Sequence, residues 1–303
     1  MTVLEARDRL GGRVWTRRDG FAEGQHAEAG GDMIDPDQET IRRLAKDLGL
    51  TLSPILRGGF AFARQAVRGP VIAQASEAGN LWAELARAAE PWVRAHRLNE
   101  CRWDGPIARQ LAGQSVADWL DAIGANRQLR ARLNGMRGFF LADPEHLSLL
   151  ALVDQLAIES SALDHFYRIR GGNDRLAATL AGTLREPVRL NTMLRVVSQQ
   201  RGKVRVTFRG RGGEDHMTAD ALVLALPATM VRRLRFTPSL PAPQSHAFRD
   251  LHYGPATKTL VQFDRRFWRR QGRPLAYGTD FPIGALWDGN EEQRGRRDRK
   301  SVV

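Results

Sequence analysis

The feature that most constrains this chain is its opening stretch, Thr-Val-Leu-Glu-Ala-Arg-Asp-Arg-Leu-Gly-Gly-Arg-Val-Trp-Thr over residues 2–16. A short apolar run ends on an acid, Glu5, and the chain then turns through Gly11 and Gly12. This pattern is typical of the second strand of a dinucleotide-binding βαβ unit. The carboxylate at its end accepts hydrogen bonds from ribose hydroxyls, roughly 20 residues after a glycine-rich phosphate loop. No such loop precedes Met1, so we expect the chain to begin inside a cofactor-binding domain.

Composition excludes several classes of protein. The net charge of +12 invites a nucleic-acid partner, but only four of the 46 basic residues are lysines and the arginines are scattered along the whole chain. No basic run alternates with aromatic residues as a single-strand groove requires, so we predict no nucleic-acid partner. The single cysteine, Cys101, excludes a disulfide framework and a multi-cysteine metal site, and no metal site is predicted.

No segment approaches the roughly 18 apolar residues of a membrane span, so no membrane partner is expected. A secretory pattern is also missing from the N-terminal residues, and we predict a cytoplasmic location.

Apolar periodicity predicts the helices. Ile41, Leu44, Ala45 and Leu48 share one face of a helix that Gly49 ends. Further helices are expected over residues 77–96, over 115–123 behind a capping box of Ser115 and Asp118, and over most of 127–161 with a break at Asp143–Pro144. The four tryptophans of this region are predicted to be packing residues: Trp82, Trp92, Trp103 and Trp119.

Strands are predicted over residues 188–197 and 204–208, with a hairpin across 203–217, and again over 258–263. Residues 221–226 are continuously apolar up to Pro227, which is typical of a strand covered on both faces of a parallel sheet.

Several motifs appear in an order that one family shares. The string Glu-Ala-Arg-Asp-Arg-Leu-Gly-Gly-Arg at residues 5–13 resembles the segment after the phosphate loop in the flavin-containing amine oxidase family. That family includes monoamine oxidases, polyamine oxidases, L-amino-acid oxidases and related desaturases. Residues 29–35, 171–176 and 221–227 are similar to later family motifs, as is Lys258 followed ten residues on by Trp268.

The resemblance implies an α/β fold, with a Rossmann-like FAD-binding domain (incomplete here) interleaved with an α+β substrate domain. The first would comprise residues 1–57 and 171–247, and the second 58–170 and 248–290. The charged, glycine-rich residues 291–303 are expected to be a non-native or disordered tail. The family's phosphate loop and its final flavin-covering segment have no counterpart in this sequence.

The resemblance also implies FAD as cofactor and assigns residues to it. Glu5 would hold the ribose, Ala6 and Arg7 would line the adenosine end beside the Gly12 turn, and Arg13 would reach the pyrophosphate. The backbone of Leu194 would hold the adenine. The remaining assignments form the loop that passes the flavin: Gly30, Gly31, Asp32 and Met33.

Lys258 is the candidate catalytic residue. In most of the family the matching lysine holds a water against the flavin N5, where a cation favours developing negative charge. The expected function is FAD-dependent oxidation of a small-molecule amine by hydride transfer, with dioxygen as acceptor. A desaturase or isomerase of an apolar substrate and a non-catalytic remnant are the alternatives. L-amino-acid oxidases resemble the chain less well, because Met33 and Ile34 stand where their loop has an arginine.

Overall fold

A computed structural model describes most of the chain. The described residues are 1–57, 60–66, 69–72, 83–157, 165–269, 274–295 and 298–302. They divide into two compact units, the first comprising Met1–Trp15 and Asp174–Tyr253, and the second Thr16–Asn173 and Gly254–Val303.

Both units mix helices and strands, as the α/β class predicts. The helices are α1 Glu39–Asp47, α2 Glu90–Leu98, α3 Pro106–Ala112, α4 Val116–Ala122, α5 Arg127–Asn134, α6 Arg137–Phe140, α7 Leu149–Ala157, α8 Arg175–Gly182, α9 Ala228–Val231 and α10 Ala242–Asp250, with a 3-10 turn at Ala22–Gly24. The strands are β1 Thr16–Arg17, β2 Ala27–Glu28, β3 Leu52–Ile55, β4 Phe60–Ala66, β5 Gly69–Ile72, β6 Phe166–Ile169, β7 Met193–Gln200, β8 Lys203–Gly210, β9 Gly213–Ala219, β10 Arg235–Thr237, β11 Thr259–Phe263, β12 Ala276–Thr279, β13 Ala285–Asp288 and β14 Asp298–Val302.

The first unit is built on a four-stranded sheet with the order β10-β7-β8-β9, antiparallel except for the β10–β7 pair. Arg201 and Gly202 both have positive φ between β7 and β8, which matches the twist of a two-residue hairpin turn. The predicted hairpin is confirmed as β8–β9. Val197 of β7 packs with Val206 and Phe208 of β8 in the apolar cluster of this sheet.

The N-terminal segment joins this unit by backbone pairing. Leu4 forms a parallel bridge with Arg189, and the N–H of Glu5 donates to the carbonyl of Arg189 at 3.0 Å. The carbonyl of Glu5 in turn accepts from the N–H of Thr192 at 2.8 Å. The predicted opening strand is therefore reduced to a short parallel contact that ends at Glu5.

The predicted strand at residues 221–226 is wrong. This segment runs outside the four-stranded sheet, and Val223 is 87% exposed while Leu222 packs on the cluster formed by β7 and β8. Continuous apolarity specifies a two-sided strand only where neighbouring strands supply ladder partners, and the sheet of this unit ends at β10 and β9.

The second unit contains a six-stranded sheet with the order β11-β14-β13-β12-β4-β5, and two smaller pairs, β1–β2 and β3–β6. Strand β14 pairs with β11 on one side and with β13 on the other. Residues 298–302 therefore form a strand paired on both edges where a disordered tail was expected, and the alternative that residues 291–303 are non-native stays a prediction. The helix predicted at 40–50 is confirmed as α1, and Gly49 follows it with φ +70°.

The helices of the second unit enclose an apolar core that includes Leu111, Trp119 and Leu152. The capping box before α4 forms as predicted, with the Ser115 hydroxyl accepting from the Asp118 N–H at 3.1 Å. Trp92 packs on this core, whereas Trp103 is 59% exposed and is not a core residue. Trp82, the remaining predicted packing residue, lies outside the described residues.

The compact units do not follow the expected domain boundaries, because residues 16–57 belong to the second unit. The division into cofactor and substrate domains stays a prediction. In the described part of the chain, no helix is both long enough and apolar enough to cross a membrane.

Candidate functional site

In the first unit, the motif predicted to hold the adenosine end of the cofactor forms a tight turn. Glu5 ends the parallel contact half-buried, and its Oε1 accepts from the N–H of Arg7 at 2.8 Å. A carboxylate can accept about four hydrogen bonds, so this one bond orients Glu5 without exhausting it. Ala6, Arg7 and Arg13 are exposed. A carboxylate flanked by exposed guanidiniums fits the ribose and the paired phosphate oxygens of FAD.

The turn is held by a residue to which the sequence assigned no role. The guanidinium of Arg9 donates to the carbonyls of Gly12 at 2.9 Å and Val14 at 3.3 Å, and it stacks 4.7 Å from the ring centre of Trp15. Gly11 has φ +92°, and a Cβ there would lie 2.5 Å from the carbonyl oxygen of Val14. The backbone at position 11 thus requires glycine. The hydrogen bonds of Arg9 then close the turn.

Leu194, predicted to hold the adenine through its backbone, lies on β7 at a bulge between Leu194 and Val196. Its side chain is half-buried and packs on the cluster of Val197, Val206 and Phe208. The packing accounts for the side chain and leaves the role of its backbone as a prediction.

In the second unit, Asp32 is the centre of a buried polar network that we call the Asp32 cluster. The cluster comprises Asp32, Arg168, Lys258, Trp287 and Glu292. Oδ1 of Asp32 accepts from Nε of Arg168 at 2.5 Å, and Oδ2 accepts from Nζ of Lys258 at 2.7 Å and from the Trp287 indole at 2.8 Å. Arg168 also donates to Glu292 at 3.1 Å. Three side chains that are distant in the sequence therefore converge on one carboxylate.

The charges of the Asp32 cluster determine its protonation. Burial alone would raise the pKa of Asp32, but the charges of Arg168 and Lys258 outweigh it and lower that pKa. Burial opposes the charge of Arg168, yet Asp32 and Glu292 raise the pKa of its guanidinium. Lys258 sits 4.9 Å over the ring of Trp287, and its side chain is 14% exposed. Its amino group is thus oriented by Asp32 and still in reach of solvent.

A second carboxylate, Asp288, adjoins the cluster. The carbonyl of Asp288 accepts from Arg168 at 3.2 Å, while its side chain accepts from the indole of Trp268 at 3.2 Å and from Arg269 at 3.0 Å. Lys258 and Trp268 thus belong to one polar network, Lys258 over the ring of Trp287 and Trp268 bonded to Asp288.

Glu28 is buried on β2, and its pKa is raised, in contrast to that of Asp32. Its carboxylate accepts from the Thr16 hydroxyl at 2.9 Å and from the N–H of Asn173 at 2.9 Å. Burial raises the pKa of Glu28 to about 7, and the nearby charge of Asp32 adds to the rise against the lowering effect of these hydrogen bonds. Glu28 therefore titrates near neutral pH.

Asn173 also holds the loop predicted to pass the flavin. Its side-chain amide donates to the carbonyls of Gly31 at 3.1 Å and Asp32 at 2.8 Å. Gly30 is half-buried beside them, and Met33 packs on the apolar cluster around Phe166 and Trp287. Asn173 of the 171–176 motif thus holds the loop in place. The sequence had connected the two motifs only through their order in the family.

A cavity of about 650 Å³ lies in the same unit, lined in part by Gln25, Arg170, Gly171, Glu292 and Arg294. Its volume is within the range of small-molecule sites, and its lining is polar and charged. Residues 292–294 thus line a cavity, and Glu292 belongs to the Asp32 cluster, where a loose tail was expected.

The structure brings together Lys258, Asp32 and the loop of Gly30, Gly31 and Met33 within the second unit, and Glu5, Ala6, Arg7, Gly12, Arg13 and Leu194 lie in the first. Sequence reasoning missed Arg168, Trp287, Glu292 and Glu28. Glu28 immediately precedes the 29–35 motif, which was a usable signal. No sequence signal marked Arg168, because arginines occur throughout this chain.

Comparison with known proteins identifies solved structures with a similar fold. A putrescine oxidase double mutant superposes with a TM-score of 0.77 at 24% identity, covering 99% of this chain and 69% of its own. Cyclohexylamine oxidase from Brevibacterium oxydans IH-35A gives a TM-score of 0.76 at 21% identity, covering 100% of this chain and 69% of its own. At these identities the likeness confirms the fold class.

Curated relatives match at similar identity. The L-amino-acid oxidase of Protobothrops flavoviridis is 27% identical over 90% of this chain. A Mycobacterium tuberculosis protein named as a flavin-containing monoamine oxidase is 26% identical over 89%. Overall sequence thus does not separate the two classes, and the expected weaker resemblance to L-amino-acid oxidases does not hold along the whole chain. The chain spans 56% and 61% of these relatives' lengths.

The family model for flavin containing amine oxidoreductases matches residues 1–299, nearly the whole chain. The cofactor of that family is FAD, as the sequence analysis expected. The order of the motifs, the fold and this match lead to one conclusion: the chain belongs to the flavin-containing amine oxidoreductase family.

Proposed function

We propose that this chain is part of an FAD-dependent oxidase that removes a hydride from the carbon beside the nitrogen of a small-molecule amine. When bound, FAD would accept that hydride, and dioxygen would be the final acceptor. The observation that carries the proposal is the ammonium of Lys258, fixed 2.7 Å from Asp32 and partly open to solvent. A cation that is oriented before the reaction stabilises negative charge developing beside it without further reorganisation.

The chain's own residues would divide the remaining work. Glu5 would hold the ribose hydroxyls, and Arg7 and Arg13 would face the phosphates. In the second unit, Asp32 would orient Lys258 while Gly30 and Gly31 let the backbone approach the ring. Met33 and Ile34 offer no charge for a substrate carboxylate, which favours a simple amine over an amino acid. The cytoplasmic location stays a prediction.

The test is Lys258→Met in the full-length protein, with Lys46→Met as control because Lys46 is an exposed lysine on α1. Flavin binding and its reduction by an amine should be nearly unchanged. Reoxidation by dioxygen should slow by a factor on the order of 10², the effect of removing one preorganised electrostatic group. Stopped-flow absorbance separates the two half-reactions.

Wild-type rates in both half-reactions of Lys258→Met would remove the basis for the oxidase and favour the desaturase or isomerase alternative. A full-length protein that purifies colourless and does not take up added FAD would contradict the flavin assignment itself and favour the non-catalytic remnant.

A further inference from the structure

Three potential metal ligands meet in the helical part of the second unit, away from the Asp32 cluster. His96 lies in the last turn of α2, Cys101 follows that helix, and Asp154 lies on α7. One ligand atom from each residue lies within 4.8 Å of the other two. In a tetrahedral zinc site the ligand atoms are roughly 3.3–3.8 Å apart, as bond lengths of about 2.0–2.3 Å require. Shifts of side chains alone would bring all three to one ion.

The local fold brings Cys101 back toward the helix that ends before it. Glu100 and Cys101 both have positive φ, and the N–H of Cys101 donates to the carbonyl of His96 at 2.9 Å. This turn forms the local pair of ligands, and α7 supplies the third from more than fifty residues along the chain. A local pair completed by one distant ligand ties two segments of a fold together.

The imidazole of His96 already contacts one of the other two candidate ligands. Its side chain is fully buried, and Nε2 lies 2.8 Å from Oδ1 of Asp154. Its other ring nitrogen, Nδ1, is also buried and has no hydrogen-bond partner among the residues that the structure describes. Because Nε2 is the ring nitrogen that faces Asp154, it is the one that would bind an ion together with this carboxylate, and its present contact with Oδ1 would be exchanged for the two bonds to the ion.

We propose that His96, Cys101 and Asp154 form a binding site for a divalent transition-metal ion, of which zinc fits best. One imidazole, one thiolate and one carboxylate are ligands that zinc accepts together, whereas calcium and magnesium require oxygen ligands. The thiolate and the carboxylate balance the charge of the ion, so the half-buried site is neutral when filled. Binding converts the Cys101 thiol to thiolate and releases one proton to solvent.

The site has room for a further ligand and a supporting contact. Asp154 is 23% exposed and Cys101 is half-buried, so water can complete the coordination. The indole of Trp103 donates to Oδ1 of Asp154 at 3.2 Å, which orients the carboxylate from outside. A bound ion would fix the C-terminal end of α2 to α7 and stabilise the helical core.

Cobalt(II) titration of the purified chain tests the proposal, since Co²⁺ occupies zinc sites and absorbs visible light. Cys101 is the only cysteine of the chain, so a thiolate-to-cobalt charge-transfer band in the near ultraviolet can arise only there. We expect this band to saturate at one equivalent, and added Zn²⁺ to displace it. Cys101→Ser should abolish the band.

Two further variants separate a built site from a lone thiol. Asp154→Asn keeps the shape of its side chain and should weaken Co²⁺ binding by about tenfold or more, since it removes a charged ligand. His146→Ala, at an exposed histidine of the same unit, should leave the titration unchanged. Zn²⁺ should raise the Tm of the wild-type chain but not that of Cys101→Ser.

The proposal is overturned if the wild-type chain shows no charge-transfer band. It is also overturned if the band persists at full affinity in Asp154→Asn, because Cys101 would then bind cobalt without the other two ligands. In either case His96 and Asp154 form only a buried hydrogen-bonded pair.

Discussion

Two regions that the sequence singled out by motif are built in opposite ways. Residues 1–15 are joined to the rest of their unit through the backbone: Glu5 pairs with Arg189 and Thr192 through main-chain groups, while Arg7 and Arg13 are exposed. In the Asp32 cluster the side chains make the structure, with three donors on one carboxylate. Side chains that a fold leaves exposed are available to a ligand, whereas side chains that are paired internally serve stability first. Lys258 has both properties, because it is paired with Asp32 and its side chain is still partly exposed.

The largest expected effect comes from the carboxylate at the centre of the cluster. Asp32→Asn leaves Arg168 and Lys258 buried without their main countercharge, and we expect a loss of about 3–5 kcal/mol of unfolding free energy. Urea unfolding measures it, with the exposed Asp19→Asn as control. A loss below about 1 kcal/mol would show that the cluster is not structural, and the contrast between the two regions would fail.

The next expected effect is the contribution of Glu28 to the dependence of stability on pH. Its pKa is raised in the folded state from an ordinary value of 4.5 to about 7, so the folded protein binds this proton more tightly than the unfolded chain. The resulting stability is complete below about pH 4.5 and is lost as pH rises through 7, by an amount on the order of 3 kcal/mol. Asp32 acts oppositely, because its lowered pKa makes its contribution disappear in acid.

Glu28→Gln should therefore flatten the loss of stability between about pH 5 and about pH 8, as measured by urea unfolding at each pH. The amide keeps an acceptor for Thr16 and Asn173. If the variant shows the wild-type slope, another group titrates in this range and Glu28 stays ionised.

A smaller effect should separate the two glycines of the N-terminal turn. Gly11→Ala would place a Cβ 2.5 Å from the Val14 carbonyl at φ +92°, and should cost roughly 2–3 kcal/mol. Gly12→Ala meets no atom within 4 Å at φ +54° and should cost about 1 kcal/mol. Equal thermal denaturation for the two variants would show that the backbone of this region yields more easily than the structure indicates.

The smallest effect on stability should be that of Glu5→Gln, within about 0.5 kcal/mol, because its side chain makes one local hydrogen bond. In the full-length protein the same change should weaken FAD binding by about tenfold or more, since hydrogen bonds to a charged acceptor are lost. Fluorescence titration of FAD measures this, and Asp8→Asn is the matched exposed control. Unchanged FAD affinity would contradict the assignment of Glu5 to the ribose.

Local features of the fold were predictable because they depend on near neighbours. The apolar spacing of α1, the capping box of Ser115 and Asp118, and the β8–β9 hairpin all formed where the pattern placed them. The 221–226 segment was mispredicted because its apolar run says nothing about which strands are available to pair with it.

The sequence by itself determined the family, its flavin cofactor and the motifs that carry both, because glycines, acids and their spacing express backbone geometry within a few residues. Only the tertiary structure decided which charged side chains pair with each other. Lys258 and Asp32 are 226 positions apart, and Arg168 lies 136 positions from the carboxylate it neutralises. Such pairings depend on how distant strands are ordered in a sheet, and on the cost of burying a charge without a countercharge. Neither of these is written in the local pattern of residues.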